Sequence, residues 1–322
     1  MPLASLANYP YLAMRLRLTT ATIAGATAIL LTACAPPGAS PNALPVGMAT
    51  ALVPPVAANA YVYVRPPANA TFSSHALGVD ELTLESAAVL LANGSEGFAA
   101  RVVTAAGGDA GPLNDVPGGW SDAGATSLRF GPNSRWGNQV RDAWNQESSK
   151  SFSEQFPGAW RDLQSMPDNP PAQPIAAGFV RNFGPLLEHL IGKAGISVPD
   201  LASGLSLVRI NRIAFVAYAD DFSELPESVE RSVLRDLNVS ILAVTDSPYP
   251  SAVVGLVFDG FVSSLGLSPV SVIGATAHQR QLTDDIYVIV LRDNTTLFFA
   301  MASTRAQATA LMQAVVTTRN EG

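Results

Sequence analysis

The sequence predicts an α+β fold in which small mixed or antiparallel sheets pack with helices. Three observations carry that expectation. Aromatic and β-branched runs such as Ala60 to Arg65 and Ile286 to Arg292 read as strands. Between such runs lie segments with helical apolar spacing, led by Val254, Val257, Phe258, Phe261, Val262 and Leu265. The order strand, strand, Ser/Thr cap, helix occurs at 82–106 and again at 286–317, so a duplicated unit is one reading of the chain.

The N-terminus comes first. Arg15 and Arg17 form a short positive region, and Leu18 to Leu31 is an uncharged, largely apolar stretch of 14 residues. That is too short for a span, which needs about 20 residues. Met14-Arg15-Leu16-Arg17 opens like an export signal, whereas Tyr9-Pro10-Tyr11 does not, so translation is expected to start at Met14. The stretch ends in Leu31-Thr32-Ala33-Cys34, and Cys34 is the only cysteine of the chain. This resembles the lipobox of bacterial lipoprotein precursors. The resemblance covers the export segment alone, and no family is recognised for the rest. It implies cleavage after Ala33, diacylation of the Cys34 thiol and a further acyl chain on the new amine. Two or three chains anchor stably where one does not, each buried CH₂ contributing about 0.8 kcal/mol. A solitary cysteine has no disulfide partner, which fits lipidation better than an exposed thiol in an oxidising compartment. In familiar lipoproteins, Ala rather than Asp after the cysteine, as with Ala35, goes with the outer of two membranes. The implied location is thus the cell membrane or outer membrane, on an extracytoplasmic face.

Residues 34–59 carry Pro36, Pro37, Pro41, Pro45, Pro54 and Pro55 and no charge. Proline removes a donor and restricts its predecessor, so this stretch is expected to be a tether between lipid and domain. Two α+β halves are expected after it, 60–165 and 172–322, separated at Met166-Pro167-Asp168-Asn169-Pro170-Pro171.

In the first half, strands are expected at Ala60 to Arg65 and within Leu82 to Ala92, the latter ending at the turn signal Asn93-Gly94. Ser95 is placed to cap a helix from Glu96 to Ala106, which Gly107 and Gly108 would stop. Residues 107–135, rich in Gly, Asp, Pro and Ser, read as loop, and helices follow over Trp136 to Ser148 and near Phe152 to Gln164.

In the second half, Pro185 opens a helix with Leu186, Leu187, Leu190 and Ile191 on one face. Strands are expected at Ile213 to Tyr218 and Val239 to Val244, with a helix at Pro226 to Leu237 between them. Val254 to Leu265 reads as a core-facing helix, although two glycines and four β-branched residues leave a strand open as the alternative for its first part. Ile286 to Arg292 and Thr295 to Ala302 flank Asp293-Asn294 as a hairpin, and Thr304 with Gln307 forms a capping box for a helix over Arg305 to Thr317.

Composition narrows function. The chain carries −7; without Arg15 and Arg17 there remain 17 basic and 26 acidic residues, or −9. Such a domain repels a phosphate backbone, so no nucleic-acid partner is expected. Charged residues are only 14%, against about 25% in an average protein, so Ala, Ser and Thr must cover much of the surface.

The chemistry-bearing motifs are sparse. His75, His189 and His278 form no H-E-x-x-H pattern, and no metal or cofactor is expected. Gly204-Leu205-Ser206-Leu207-Val208 lacks the second glycine of a nucleophile elbow, Gly94-Ser95-Glu96-Gly97 has the wrong spacing, and Ser148-Ser149-Lys150 is not S-x-x-K. No phosphate-binding glycine loop is present. Carboxylates cluster at Asp220, Asp221, Glu224, Glu227 and Glu230, and at Asp284 and Asp285, where dipole partnership at helix starts is the commoner use. Trp120, Trp136, Trp144 and Trp160, all four tryptophans, fall within 41 residues. Helical spacing favours a core role, while exposed indoles would stack on sugar rings, which makes these four the candidate ligand-binding residues.

The functional expectation is a membrane-anchored extracytoplasmic lipoprotein with a non-catalytic binding or scaffolding domain. Its partners are the membrane, through Cys34, and an envelope protein or glycan. The alternatives are a cell-wall polysaccharide hydrolase using paired carboxylates and the solute-binding lipoprotein of a transporter.

Overall fold

The structure, a computed structural model, describes residues 44–45, 47–65, 71–74, 79–83, 87–93, 97–103, 119–123, 127–146, 148–181, 212–219, 239–284 and 286–321. The strands are β1 (Leu52–Val53), β2 (Ala60–Val64), β3 (Thr71–Ser74), β4 (Val79–Thr83), β5 (Ala87–Asn93), β6 (Gly97–Val103), β7 (Gly119–Ala123) and β8 (Ser127–Pro132). They continue with β9 (Lys150–Ser151), β10 (Gln173–Arg181), β11 (Arg212–Ala219), β12 (Val239–Asp246), β13 (Ser268–Val272), β14 (Ala275–Thr283), β15 (Ile286–Asp293) and β16 (Thr296–Ala302). The helices are α1 (Arg135–Asn145), α2 (Phe152–Gln155), α3 (Pro157–Leu163), α4 (Ser251–Ser264) and α5 (Arg305–Glu321).

Twelve of these strands form one antiparallel sheet in the order β13-β14-β15-β16-β12-β11-β10-β2-β5-β6-β8-β7. The α+β expectation is therefore wrong: the molecule is mostly β, built on one large sheet with short helices against it. The stretches expected to form two halves contribute to that same sheet, joined where Ala60–Val64 of β2 pairs with Ala176–Val180 of β10.

Two segments account for the misreading. The expected helix over 96–106 contains strand β6, whose antiparallel ladder with β5 starts at Asn93↔Gly97. Gly97 has φ +107°, open to glycine and strained for other residues. Ala99, Ala100 and Val102 are all buried, so the strand shows no polar alternation and its Ala-rich run imitates a helix. The expected loop over 107–135 contains β7 and β8. Gly, Ser and Asp are poor strand formers, but β7 is an edge strand, where polar residues blunt an exposed ladder.

Elsewhere the chain follows its pattern. The strands at Ile213 to Tyr218 and Val239 to Val244 are β11 and β12, and Asp293-Asn294 turns β15 into β16, with Asn294 at φ +55°. Val254 to Leu265 is helical: Val254, Phe258, Phe261, Val262 and Leu265 are buried together. Phe152 to Gln164 is helical in two pieces, α2 and α3, broken at Phe156. The Thr304 hydroxyl accepts from the Gln307 amide at 3.2 Å, capping α5 as the sequence indicates. The expected helices at 185 and 226 lie outside the described residues.

The two faces of the sheet carry different helices. On β15 and β16, Ile289, Leu291, Phe298, Ala300 and Ala302 face α5, while Val288, Val290 and Leu297 face α4. Apolar side chains therefore run continuously along these strands, as burial on both faces requires. The α5 face continues under α1, α2 and α3, where Tyr61 lies 4.5 Å from Phe152 and Phe156 lies 4.8 Å from Phe179 between ring centroids.

The tether expectation also needs correction past residue 46. Met48, Val53 and Ala58 are buried, β1 pairs with β9, and the Ala57 carbonyl accepts from the Trp136 indole at 2.7 Å. Pro54 and Pro55 exclude a helix and a central strand, but they do not exclude a strap packed on a core. The recurrent unit is likewise displaced. Hairpin, cap and helix occur as β7-β8-α1, capped by Ser134 before Arg135, and as β15-β16-α5, capped by Thr304 before Arg305. The stretch 82–106 is not a copy, because its described residues contribute strands and no helix.

Candidate functional site

The four tryptophans mark where the sequence places a binding site, and the structure divides them. Trp160 is half-buried and meets Phe152 edge-on at 6.3 Å, within the aromatic cluster beneath α2 and α3. Trp136 is buried and ties α1 to the strap through Ala57. Trp120 and Trp144 form a pair, with centroids 6.4 Å apart at 74°.

That pair sits where β6, β8 and β7 pass under α1. Trp120 stands opposite Gly131 in the β7–β8 register. A Cβ on Gly131 would lie 2.7 Å from the Trp120 ring and 3.2 Å from the Ala99 side chain, so the glycine is what lets the indole lie flat across the strand. Gly137 lets α1 settle close by: a Cβ there would fall 2.1 Å from the Pro132 carbonyl. Ser134 caps the helix by accepting from the Gly137 amide.

Two residues along from Trp120 and from Gly131, on the same side of the pleat, are Asp122 and Arg129. The Arg129 guanidinium donates to Asp122 Oδ2 at 2.5 Å and to Asn145 Oδ1 of α1 at 2.5 Å. Arg101 of β6 faces Arg129 directly in the ladder, two like charges side by side. From α1, Arg141 lies over the Trp120 ring at 5.8 Å, and its Nε is 4.0 Å from Asp142. Asn138, Arg141 and Asn145 follow one another at i, i+3 and i+7, one stripe of the helix.

This cluster is rich in donors. The indole nitrogens of Trp120 and Trp144 and the Nε of Arg129 are buried without a hydrogen-bond partner, as is one acceptor, Asn138 Oδ1. Buried polar groups are nearly always paired, so three orphaned donors along one helix–sheet seam are uncommon. The cluster offers positive charge, hydrogen-bond donors and two aromatic rings. Among the described residues its carboxylates are Asp122 and Asp142, both engaged with arginines.

Sequence reasoning missed a second polar pairing. Asp162 of α3 is buried, and Arg212 at the start of β11 donates to its Oδ2 through Nε at 2.8 Å and reaches it through Nη2 at 2.7 Å. Burial pushes the Asp162 carboxyl above the usual carboxylate range, Arg212 pulling the other way. Asp162 follows Arg161 on a short helix and reads as solvated, so no local signal marks it.

The remaining candidates fall apart. Cys34, Ala33, His75, His189, Ser206, Asp220, Asp221, Glu224, Glu227, Glu230 and Asp285 lie outside the described residues. His278 lies on β14 with its ring 5.6 Å from Phe258. Asp284 sits in the turn after β14, its carbonyl 3.5 Å from the Gln281 amide nitrogen. Among the described residues no group of three or more His, Cys, Asp or Glu could hold a metal ion. No family model, curated protein or solved structure matches the chain.

Proposed function

We propose that the chain is a lipoprotein of the bacterial cell envelope, held on an extracytoplasmic face by acyl chains on Cys34. Its sheet domain binds a ligand or partner rather than catalysing. The observation that carries this reading is Leu31-Thr32-Ala33-Cys34 after a basic, then apolar, 14-residue segment, with Cys34 the only cysteine. Among the described residues no helix is long and apolar enough to cross a membrane, so the acyl chains supply the attachment in this reading. The binding role is supported by the seam between α1 and β6-β8-β7, where orphaned donors and aromatic rings gather.

The test is incorporation of an alkyne-bearing fatty acid by bacteria expressing the chain. Label on the wild type and its loss in Cys34→Ser support the anchor. Equal labelling of both, or labelling of neither, removes it.

A further inference from the structure

No charged residue occurs from Ala35 to Val64, although 14% of the chain is charged and a run of this length would ordinarily carry several. The strap lies within that run, and its residues divide by side. Met48, Val53 and Ala58 are buried in the core on the α1–α3 face of the sheet, whereas Gly47, Thr50, Leu52, Pro55 and Ala57 are exposed. Leu52, next to the fully buried Val53, is 52% exposed. One exposed leucine is ordinary; its surroundings here are not. The Thr50 hydroxyl donates to the Gly47 carbonyl at 3.2 Å and the Ala51 amide to the Met48 carbonyl at 3.1 Å. The carbonyls of Ala49 and Ala51 accept from the Ser153 and Phe152 amides of α2. A surface whose polar groups are already bonded to one another loses little on leaving water.

The strap is also the part of the domain nearest the acylation site. Nine residues, 35–43, separate Cys34 from Leu44, where the strap joins the core. Fully extended, that link reaches about 35 Å; as a coil its ends lie about 17 Å apart. A domain of this size has a radius of gyration of about 19 Å, so the link holds the strap side toward the acyl chains and the α4 side away from them. We infer that, once Cys34 is acylated, the strap docks on the bilayer that holds its acyl chains. Leu52 enters the boundary between headgroups and chains, and Gly47, Thr50, Pro55 and Ala57 lie against the headgroups.

The inference rests on the lipid-anchored reading above and adds a fixed orientation to it. With a charge of −9 from Cys34 onward, the domain gains nothing from anionic lipid, so the contact is apolar. Lys150 stands opposite Val53 in the β1–β9 pair, and nearby Glu154 accepts from the Ser151 amide and hydroxyl. The short link keeps the bilayer at high effective concentration, and a contact too weak to hold a free protein is thereby populated in the anchored one.

The test uses the full chain made in bacteria with one added thiol, Thr50→Cys, Leu52→Cys or Leu256→Cys. Each thiol carries an environment-sensitive dye, and the protein is placed in phosphatidylcholine vesicles containing a lipid with a nitroxide just below its headgroup. Acylated Cys34 does not react with the dye, and the mass of each protein establishes its acylation. Leu256, 76% exposed on α4 across the sheet, is the control. The expected result is quenching several-fold stronger at positions 50 and 52 than at 256. Adding Leu52→Asp to Thr50→Cys lowers the ratio of docked to free domain about tenfold. Thr50→Cys alone keeps Leu52 and reads the docking even where Leu52→Cys fails to fold. Equal quenching at 50 and 256 in acylated protein, or quenching at 50 unchanged by Leu52→Asp, would overturn the docking and leave the anchor standing. A chain without acyl groups on Cys34 removes the anchor and the docking with it.

Discussion

Asp162 of α3 and Arg212 of β11 meet through a single carboxylate oxygen, with Nε at 2.8 Å and Nη2 at 2.7 Å. The pair pins the short helix to the sheet at the middle of the molecule. Gly158 makes room for it, since a Cβ there would lie 2.7 Å from Arg212 Nη1.

Removing Arg212 leaves a buried carboxylate alone. Burial already holds the Asp162 carboxyl above its ordinary value of 3.8, and without Arg212 it rises further. A raised carboxyl pKa penalises the folded state only while the group is charged. The penalty is absent below the unfolded value and complete above the folded one. Arg212→Ala is therefore expected to cost about 3 kcal/mol at pH 7, a fall in Tm of roughly 10 °C. The deficit narrows as pH falls toward 4. Thermal unfolding of both proteins across that range checks it; a deficit constant with pH would contradict the assignment.

Two glycines are expected to respond in opposite directions. At Gly178 on β10 a Cβ would stand 2.0 Å from the Tyr61 carbonyl, whose position is fixed by the β2–β10 ladder. Gly178→Ala should cost about 3 kcal/mol, because backbone in a central strand cannot give way. Gly260 is exposed inside α4 with nothing within 4 Å of an added Cβ, so Gly260→Ala should stabilise by about 0.5 to 1 kcal/mol. Denaturant unfolding of the two variants gives the signs.

The Ser151–Glu154 capping box makes a titration prediction. Hydrogen bonds from the Ser151 hydroxyl and then its amide hold the Glu154 carboxyl below its ordinary value of 4.5. A lowered carboxyl pKa gives stability that is present above the ordinary value and lost as pH falls through the lowered one. Carboxyl ¹³C shifts should therefore place the Glu154 midpoint below 4.5, and Ser151→Ala should bring it back up.

The second half was legible where short-range pattern and tertiary role agree. Thr304 and Gln307 cap a helix, Asp293-Asn294 turns a hairpin, and Val254 to Leu265 buries one helical face, because in each case neighbours in sequence decide the outcome. The first half was legible in part: the strand Ala60–Val64 and the helices from Arg135 to Leu163 fall where their patterns put them, whereas β6, β7 and β8 are decided by partners far away. Gly97–Val103 is a strand because β5 and β8 flank it, and burial on both faces erased the alternation that marks a strand. Of the seam under α1, the tryptophans were visible as a cluster. Arg101 against Arg129 was not, because that pairing depends on a register between β6 and β8 that local sequence does not encode. The same holds for Asp162 and Arg212, fifty residues apart.

The lipid-anchored reading rests on Cys34, and the most direct measurement is the mass of the N-terminal peptide of the chain recovered from bacterial membranes. The account predicts a chain that begins at Cys34 and carries a thioether-linked diacylglycerol, with a further acyl group on the amine where the host adds one. A chain beginning elsewhere, or an unmodified Cys34 thiol, would contradict it.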